Sequence, residues 1–273
     1  MNPQSHSSRS SELPTTLRPL LWGCNFATLS WEEEISKTQH QRRHLSFLVA
    51  LLFFLLFGVN SVAPASDDTA PKTFKGRVIA PAMSYRGADW LERPDREATQ
   101  QPEKVLDALK IAPGSTVADI GAGTGYFSLR LAKRVGPQGR VLATDIQPQM
   151  LALLKENMHA AGIHNIEPIL CTPTDAKLPE GQLDLALMVD VYHELAYPEE
   201  TMAQVRRALK PDGRLVLVEY RGEDPSVPIK PEHKMTLTQV RSEIEPMGFE
   251  LKEVFEFLVQ QRVIVLKKTL NDE

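Results

Sequence analysis

The stretch VADIGAGTGYFSLRLA, residues Val117 to Ala132, places three glycines within five positions, between an apolar run and an amphipathic one. Glycine has no side chain, so this density favours a place where a ligand lies close against the backbone. An apolar strand, a glycine-rich turn and a helix in that order are typical of nucleotide-binding α/β proteins. The stretch therefore predicts a ligand site at the end of a buried strand.

The spacing of the glycines restricts the class of ligand. A Walker-type phosphate loop requires a Lys after its last glycine, and none follows here. The dinucleotide fingerprint G-x-G-x-x-G requires a glycine at the position of Tyr126. The acid Asp119 precedes the loop, where it would repel a pyrophosphate and attract a cation. These features predict S-adenosylmethionine (AdoMet), which has a sulfonium cation, a free amino-acid end and no phosphate.

Apolar strands alternate with amphipathic helices through the rest of the chain, which predicts a parallel sheet covered on both faces. Ligands bind such sheets at the carboxyl ends of their strands. The predicted strands are Thr116–Ile120, Arg140–Asp145, Ile166–Cys171, Leu183–Val189, Arg214–Tyr220, Phe249–Phe255 and Gln260–Leu266, and the predicted helices are Pro102–Leu109, Tyr126–Arg134, Pro148–Ala161, Pro198–Leu209 and Thr236–Glu245, with a turn at Lys210–Gly213.

Acidic residues follow the next two strands. Asp145 ends the second strand, and its carboxylate is suited to accept both ribose hydroxyl protons; capping the next helix is the alternative role. Asp175 and Ala176 follow the third strand, at the place where an acceptor beside a small residue meets an adenine amino group. An ordinary loop acid is the alternative for Asp175.

The segment DVYHEL, Asp190 to Leu195, ends the fourth strand, where a substrate must approach. His193 is a candidate general base because its ordinary pKa lies near neutrality, and a pocket-wall histidine is the alternative. Methyl transfer from a sulfonium is an in-line displacement that runs largely on positioning, so no base is obligatory. The zinc motif H-E-x-x-H is absent because Tyr197 stands where its second His belongs, and no metal is predicted.

Two further segments are predicted to wall the substrate side. A lid is expected around Tyr85 and Trp90, ahead of the core, and Arg221–Met235 is too long for a simple connector. A solvated surface is the alternative for the charged residues of both segments. The candidate substrate residues are Tyr85, Trp90, Tyr192, Glu219, Lys230 and His233.

Residues 105–220 resemble the class I AdoMet-dependent methyltransferases, in particular the type-11 and ubiquinone/menaquinone C-methyltransferase-like groups. The motifs that carry the resemblance occur in the family's order: VADIGAGTG, TDIQPQML, TDAKLP, LDLALMVDVYHEL and RRALKPDGRLVLVEY. It implies a Rossmann-like three-layer α/β sandwich with a mostly parallel seven-stranded sheet whose last strand is antiparallel. It also implies transfer of a methyl group to a small-molecule or lipid-like acceptor.

The resemblance also assigns roles to residues. It implies that Asp119 and the glycine loop hold the methionine end of AdoMet, and that Asp190 lies over the cofactor near the reacting methyl group, where it joins His193 as a catalytic candidate. The expected cofactor-binding residues are Asp119, Gly121, Ala122, Gly123, Gly125, Asp145, Ile146, Asp175, Ala176 and Asp190.

The first 65 residues differ from the rest. An uncharged run at 45–59 follows a basic flank and precedes Ala63-Pro64-Ala65, a pattern typical of a secretory signal or a signal-anchor. This predicts an exported, periplasmic or membrane-anchored protein; a cytoplasmic protein with a mis-assigned start is the alternative. Residues 66–101 are predicted to form a linker and lid, and 102–273 the methyltransferase domain.

Composition and the leader leave two other functions open. The net charge of −4 argues against nucleic acid as a partner. AdoMet is made in the cytosol, so the leader favours, as an alternative, an exported AdoMet- or nucleoside-binding module without turnover. An NAD(P)-dependent oxidoreductase is also an alternative, because it shares the fold and the ribose acid. It is less favoured because Tyr126 stands where its fingerprint requires a glycine.

Overall fold

The computed structural model describes residues 73–269, which contain a central sheet and its flanking helices. The predicted leader, with its apolar run at 45–59, lies outside the described residues. No helix between residues 73 and 269 combines the length and apolarity needed to cross a membrane. The strands are β1 (Thr73–Phe74), β2 (Arg77–Val78), β3 (Thr116–Ile120), β4 (Arg140–Asp145), β5 (Ile166–Leu170), β6 (Leu183–Val189), β7 (Leu209–Arg221), β8 (Lys234–Met235), β9 (Phe249–Phe255) and β10 (Gln261–Lys268). The helices are α1 (Ala88–Leu91), α2 (Arg96–Gln100), α3 (Pro102–Leu109), α4 (Tyr126–Val135), α5 (Pro148–Ala161), α6 (Pro198–Ala208) and α7 (Leu237–Ile244).

The main sheet has the strand order β5-β4-β3-β6-β7-β10-β9, and the short β8 also pairs with β7. Strands β3 to β7 pair in parallel, whereas β10 is antiparallel to both β7 and β9. This confirms the predicted Rossmann-like sheet with an antiparallel last strand. The chain reverses its direction of travel across the sheet at β3, so the carboxyl ends of β3, β4 and β6 border one crevice.

Side chains of each strand alternate between two apolar cores, one on each face of the sheet. Val117 of β3 packs with Leu106 of α3 and Leu131 of α4 in the first core. Its neighbour Ala118 packs with Met202 of α6 in the second. The period of two along the strand produces this division, and burial on both faces explains why most of β3 is apolar.

The predicted turn Lys210–Gly213 lies inside β7 instead of between helix and strand. The β6–β7 register shifts there, because Leu183 pairs with Leu209 whereas Leu185 pairs with Arg214. A Cβ on Gly213 would lie 2.7 Å from the carbonyl oxygen of Leu183, so the turn residues press against the neighbouring strand. Lys210–Gly213 thus have no strand-pairing partner in β6, so the predicted turn is present but lies within the bounds of β7.

Part of the predicted linker is packed against the domain. Strands β1 and β2 form a hairpin whose turn residues Lys75 and Gly76 both have positive φ, as a two-residue hairpin turn requires. The Arg77 guanidinium pairs with the buried carboxylate of Glu243, and the amide of Ala80 donates to the carbonyl of His193. For residues 73–80 the linker prediction is wrong, because a charge pair and backbone contacts hold this segment in place.

Candidate functional site

The glycine loop between β3 and α4 adopts a conformation that only glycine reaches easily. Gly121, Gly123 and Gly125 all have positive φ. A Cβ on Gly121 would lie 2.5 Å from the side chain of Val191, which follows β6. The loop is thus a tight turn that packs closely against neighbouring side chains. This packing by itself leaves no room for a side chain at the glycine positions, and a bound ligand would impose the same limit.

Asp145, at the end of β4, ties the second strand to this loop. One carboxylate oxygen accepts from the amide of Gly123 at 2.9 Å, and the other accepts from the amide of Gln147 at 2.8 Å. The residue is only 6% exposed, and burial raises its pKa. Gln147, not Asp145, is the N-cap of α5. Each oxygen keeps a second lone pair, which is the capacity that a ribose diol requires.

Asp119 is buried beneath the loop. Its Oδ2 accepts from the hydroxyl of Ser128 on α4 at 2.6 Å. Burial raises the pKa of Asp119 to about 6, although Ser128 and the nearby positive charge of Arg96 oppose that rise. The carboxyl group is therefore about half ionised at pH 6 and reaches its full charge only at higher pH.

This raised pKa predicts that the affinity for AdoMet falls as the pH falls. Only ionised Asp119 attracts the ammonium group, so we expect this acid to weaken AdoMet binding about tenfold between pH 7 and pH 5. Domain stability changes in the opposite direction: the folded state holds this proton more tightly than the unfolded chain does, so stability falls as pH rises from about 4 to 6. Calorimetric titration with AdoMet across this range measures the first effect. Asp119→Asn is the control, and equal pH slopes in both proteins would eliminate Asp119 as the titrating acid.

Asp190, immediately after β6, is held by two glutamine side chains. Gln100 Nε2 donates to Oδ2 at 3.0 Å, and Gln261 Nε2 donates to Oδ1 at 2.7 Å. Asp190 has a φ of 56°, which is uncommon for a residue with a side chain and is typical of functional sites. Burial, with a further contribution from the charge of Glu219, raises its pKa to about 6.

Arg96 of α2 is a site residue that the sequence analysis missed. It is 6% exposed, its guanidinium carbon lies 3.9 Å from the centre of the Tyr126 ring, and its Nη1 donates to the carbonyl of Leu91. Its charge acts on both Asp119 and Asp190. Gln100 and Gln261 were missed as well. Only the charged character of Ser84–Glu97 hinted at Arg96, and no local pattern marked the glutamines.

The predicted adenine-side residues are engaged with other groups. The Asp175 carboxylate accepts from the amide of Lys177 and pairs with that residue's ammonium, and these contacts lower its pKa. The amide of Ala176 donates to Gln204 Oε1 at 2.7 Å. Ile146 is different, because 42% of this large apolar residue is exposed beside Asp145. The contacts of Asp175 and Ala176 with adenine, and of Ile146 with the cofactor, stay predictions.

Two of the predicted substrate residues lie in the interior. Tyr192 is fully buried, and its hydroxyl donates to Glu243 Oε2 at 2.9 Å. Glu219 is 0% exposed and accepts from the amide of Tyr192 and from Nδ1 of His193, the latter at 2.6 Å. The prediction that Tyr192 and Glu219 face the substrate is wrong, because the strand and the following turn direct both side chains inward.

His193 is buried between two partners. Its Nδ1–H donates to Glu219 Oε2, and its Nε2 lies 3.2 Å from Nδ1 of His233, which ends the turn Pro231–His233. Burial by itself would lower the pKa of His193, but the negative charge of Glu219 raises it overall. The catalytic role of His193 stays a prediction.

The other predicted substrate residues point elsewhere. Tyr85 and Trp90 are exposed, and the amide of Tyr85 donates to Gln147 Oε1 at 2.8 Å, which ties this segment to the start of α5 beside Asp145. The expected lid helix is a short 3-10 turn followed by α1. Lys230 is exposed to solvent, whereas His233 is partly buried against His193, and the contact of either residue with substrate stays a prediction.

Comparison with known proteins shows which proteins part of this chain resembles. Residues 117–213 match a family model described as a methyltransferase domain. The ubiquinone/menaquinone biosynthesis C-methyltransferase UbiE of Cupriavidus taiwanensis is 32% identical over 111 residues, which are 40% of this chain and 45% of that protein. The chain thus spans less than half the length of the curated relatives it matches.

Solved structures agree on the fold. An AdoMet-dependent methyltransferase from Aquifex aeolicus superposes with a TM-score of 0.66 at 26% identity, covering 69% of this chain and 100% of that one. The [4+2]-cyclase SpnF shares the fold alone, with a TM-score of 0.54 at 14% identity, covering 64% of this chain and 82% of that one.

The residues around the crevice fit the cofactor of this class. Asp145, beside the glycine loop, retains acceptor capacity for a diol. The charge of Arg96 acts on Asp119, and these two opposite charges would suit the carboxylate and the ammonium of an amino acid. Residues 117–213 are therefore similar to a methyltransferase domain, and the described residues share the fold of an AdoMet-dependent methyltransferase.

Proposed function

We propose that this protein transfers a methyl group from AdoMet to a small-molecule acceptor by in-line displacement. The observation that carries the proposal is the position of Asp145. Its carboxylate, at the end of β4, accepts a hydrogen bond from the glycine loop that follows β3 and keeps lone pairs for a ribose. The family match supports the same reaction. The fold by itself does not, because a [4+2]-cyclase shares it.

The chain's own residues divide the work of binding and orientation. Asp145 is proposed to hold the ribose, while Asp119 would attract the ammonium and Arg96 the carboxylate of the amino-acid end. Asp190, fixed by Gln100 and Gln261, then lies on the methyl side of the cofactor. AdoMet itself supplies an electrophilic methyl group on its sulfonium. The protein's contribution is chiefly to align the acceptor with that methyl group and to exclude water.

A cleft at the carboxyl end of β7 supports an acceptor of small-molecule size. Its volume is about 610 Å³, within the range of ligand pockets. Val227, Pro228 and Ile229 make much of its wall apolar, and Lys234 and Gln239 add polar groups. This composition favours a largely apolar acceptor with a few polar groups, and the names of the UbiE relatives point to a lipid-like one.

The test combines cofactor binding with turnover. The purified full chain is titrated with AdoMet and then incubated with host metabolite and lipid extracts and isotopically methyl-labelled AdoMet. Mass spectrometry is expected to show at least one product that carries the label. Asp145→Ala is the inactive control. AdoMet binding without any labelled product would favour the binding module without turnover, and absence of AdoMet binding would overturn the proposal.

A further inference from the structure

Three metal-ligating side chains converge beside the end of β6. His193 Nε2 lies 3.2 Å from His233 Nδ1, and Glu194 Oε1 lies 3.8 Å from the same His233 nitrogen. One ligand atom from each of the three residues falls within 4.8 Å of the others. His233 comes from the long segment after β7, so no local sequence motif unites the three.

We infer that His193, His233 and Glu194 form a binding site for a divalent first-row transition metal, with Zn²⁺ the best match. Two imidazoles and one carboxylate are a known zinc ligand set, in which three protein groups leave one position for water or a substrate oxygen. Ligand nitrogens about 2.0–2.1 Å from a tetrahedral ion are about 3.3 Å apart. The nitrogens of His193 and His233 already have nearly this separation.

Glu219 orients the ring of His193, as a metal-ligating histidine requires. Its buried carboxylate accepts a hydrogen bond from the Nδ1–H of His193, and in this tautomer the Nε2 lone pair is directed at His233. Carboxylate–histidine pairs of this kind orient the ring and raise the basicity of the ligating nitrogen. The amide of Tyr192 fixes the other Glu219 oxygen, so the orienting group is itself held in place.

The competing explanation is a hydrogen-bonded histidine pair without an ion. In that case a proton of His233 Nδ1 occupies the place between the two rings, and Glu194 only lines the cluster. Binding of a metal ion would displace this proton, whereas a purely structural histidine pair would have no affinity for a metal ion. The prediction of no metal rested on the missing H-E-x-x-H spacing, which cannot detect a ligand that arrives from another segment.

The test measures metal binding directly and does not rely on methyl transfer. The full-length protein is stripped with a chelator and titrated with Zn²⁺ by calorimetry, and Co²⁺ is added as a spectroscopic probe of the ligand set. We expect one tight ion per chain and a Co²⁺ visible spectrum typical of a low-coordinate nitrogen–oxygen site. His233→Gln and Glu194→Gln are each expected to lower the affinity at least 100-fold, and Glu219→Gln 10- to 100-fold.

Matched controls separate the cluster from other histidines. His159→Gln removes an exposed imidazole on α5 and is expected to leave Zn²⁺ affinity unchanged. Histidines outside residues 73–269 are present in every variant, so they cancel in the comparison. AdoMet binding by His233→Gln confirms that this variant is folded. If the parent protein binds Zn²⁺ no more tightly than His233→Gln does, the site does not exist.

Discussion

Asp145→Ala is expected to weaken AdoMet binding by at least about 100-fold. Two hydrogen bonds from ribose hydroxyls to a carboxylate contribute about 1.5–3 kcal/mol each, and the variant loses both. It also releases the amides of Gly123 and Gln147, which the same carboxylate holds in the unliganded protein. Calorimetric titration with AdoMet measures the loss of affinity. Because Asp145 belongs to neither apolar core, we expect the variant to fold with both cores intact.

Asp145→Asn is the matched control for this prediction. The amide keeps the shape of the side chain and one acceptor oxygen, so we expect a loss intermediate between the parent protein and Asp145→Ala. Thermal unfolding of both variants shows whether the loop is disturbed globally. Unchanged AdoMet affinity in a folded Asp145→Ala variant would remove Asp145 from the cofactor site and would withdraw the main support for the proposed function.

Glu243→Leu is expected to lower the free energy of unfolding by about 3–5 kcal/mol, the largest stability effect we predict. Glu243 is fully buried on α7, where it accepts from the Arg77 guanidinium at 2.9 Å, from the Tyr192 hydroxyl at 2.9 Å and from Gln239 at 2.6 Å. Its removal leaves the Arg77 charge buried without a partner. Denaturant unfolding, followed by tryptophan fluorescence or circular dichroism, measures the change.

The double variant Arg77→Met with Glu243→Leu tests the cause. When both members of a buried ion pair are replaced by apolar residues, much of the loss is recovered, because no charge remains unpaired. We therefore expect the double variant to be more stable than Glu243→Leu alone. Tyr192→Phe, which removes one hydrogen bond, is expected to cost about 1 kcal/mol. A Glu243→Leu loss below that of Tyr192→Phe would contradict the role of the charge pair.

Features of the site that depend on neighbouring positions were predictable. The glycine loop, the acids Asp119 and Asp145 and the order of strands and helices all follow from short patterns. Burial on both faces makes a parallel strand an apolar run, and the carboxyl ends of such strands carry the ligand groups. The structure confirms the sheet and its antiparallel last strand, and it links Asp145 to the loop.

Features that depend on distant segments were not predictable. Arg77 meets Glu243, Gln261 meets Asp190, and His233 meets His193, and no pattern along the chain relates the members of these pairs. The same limit produced the errors at Tyr192 and Glu219, because a motif's position near a strand end does not say towards which side each side chain points.

The sequence by itself therefore determined the class of fold and the chemical class of the cofactor, since periodicity and glycine spacing are local properties of the chain. The tertiary structure alone decided which polar groups are buried together, and hence which of them bind, which support a neighbour and which stabilise the core. Burial of a charge is tolerated only beside a partner, and only the folded chain brings each partner to its place.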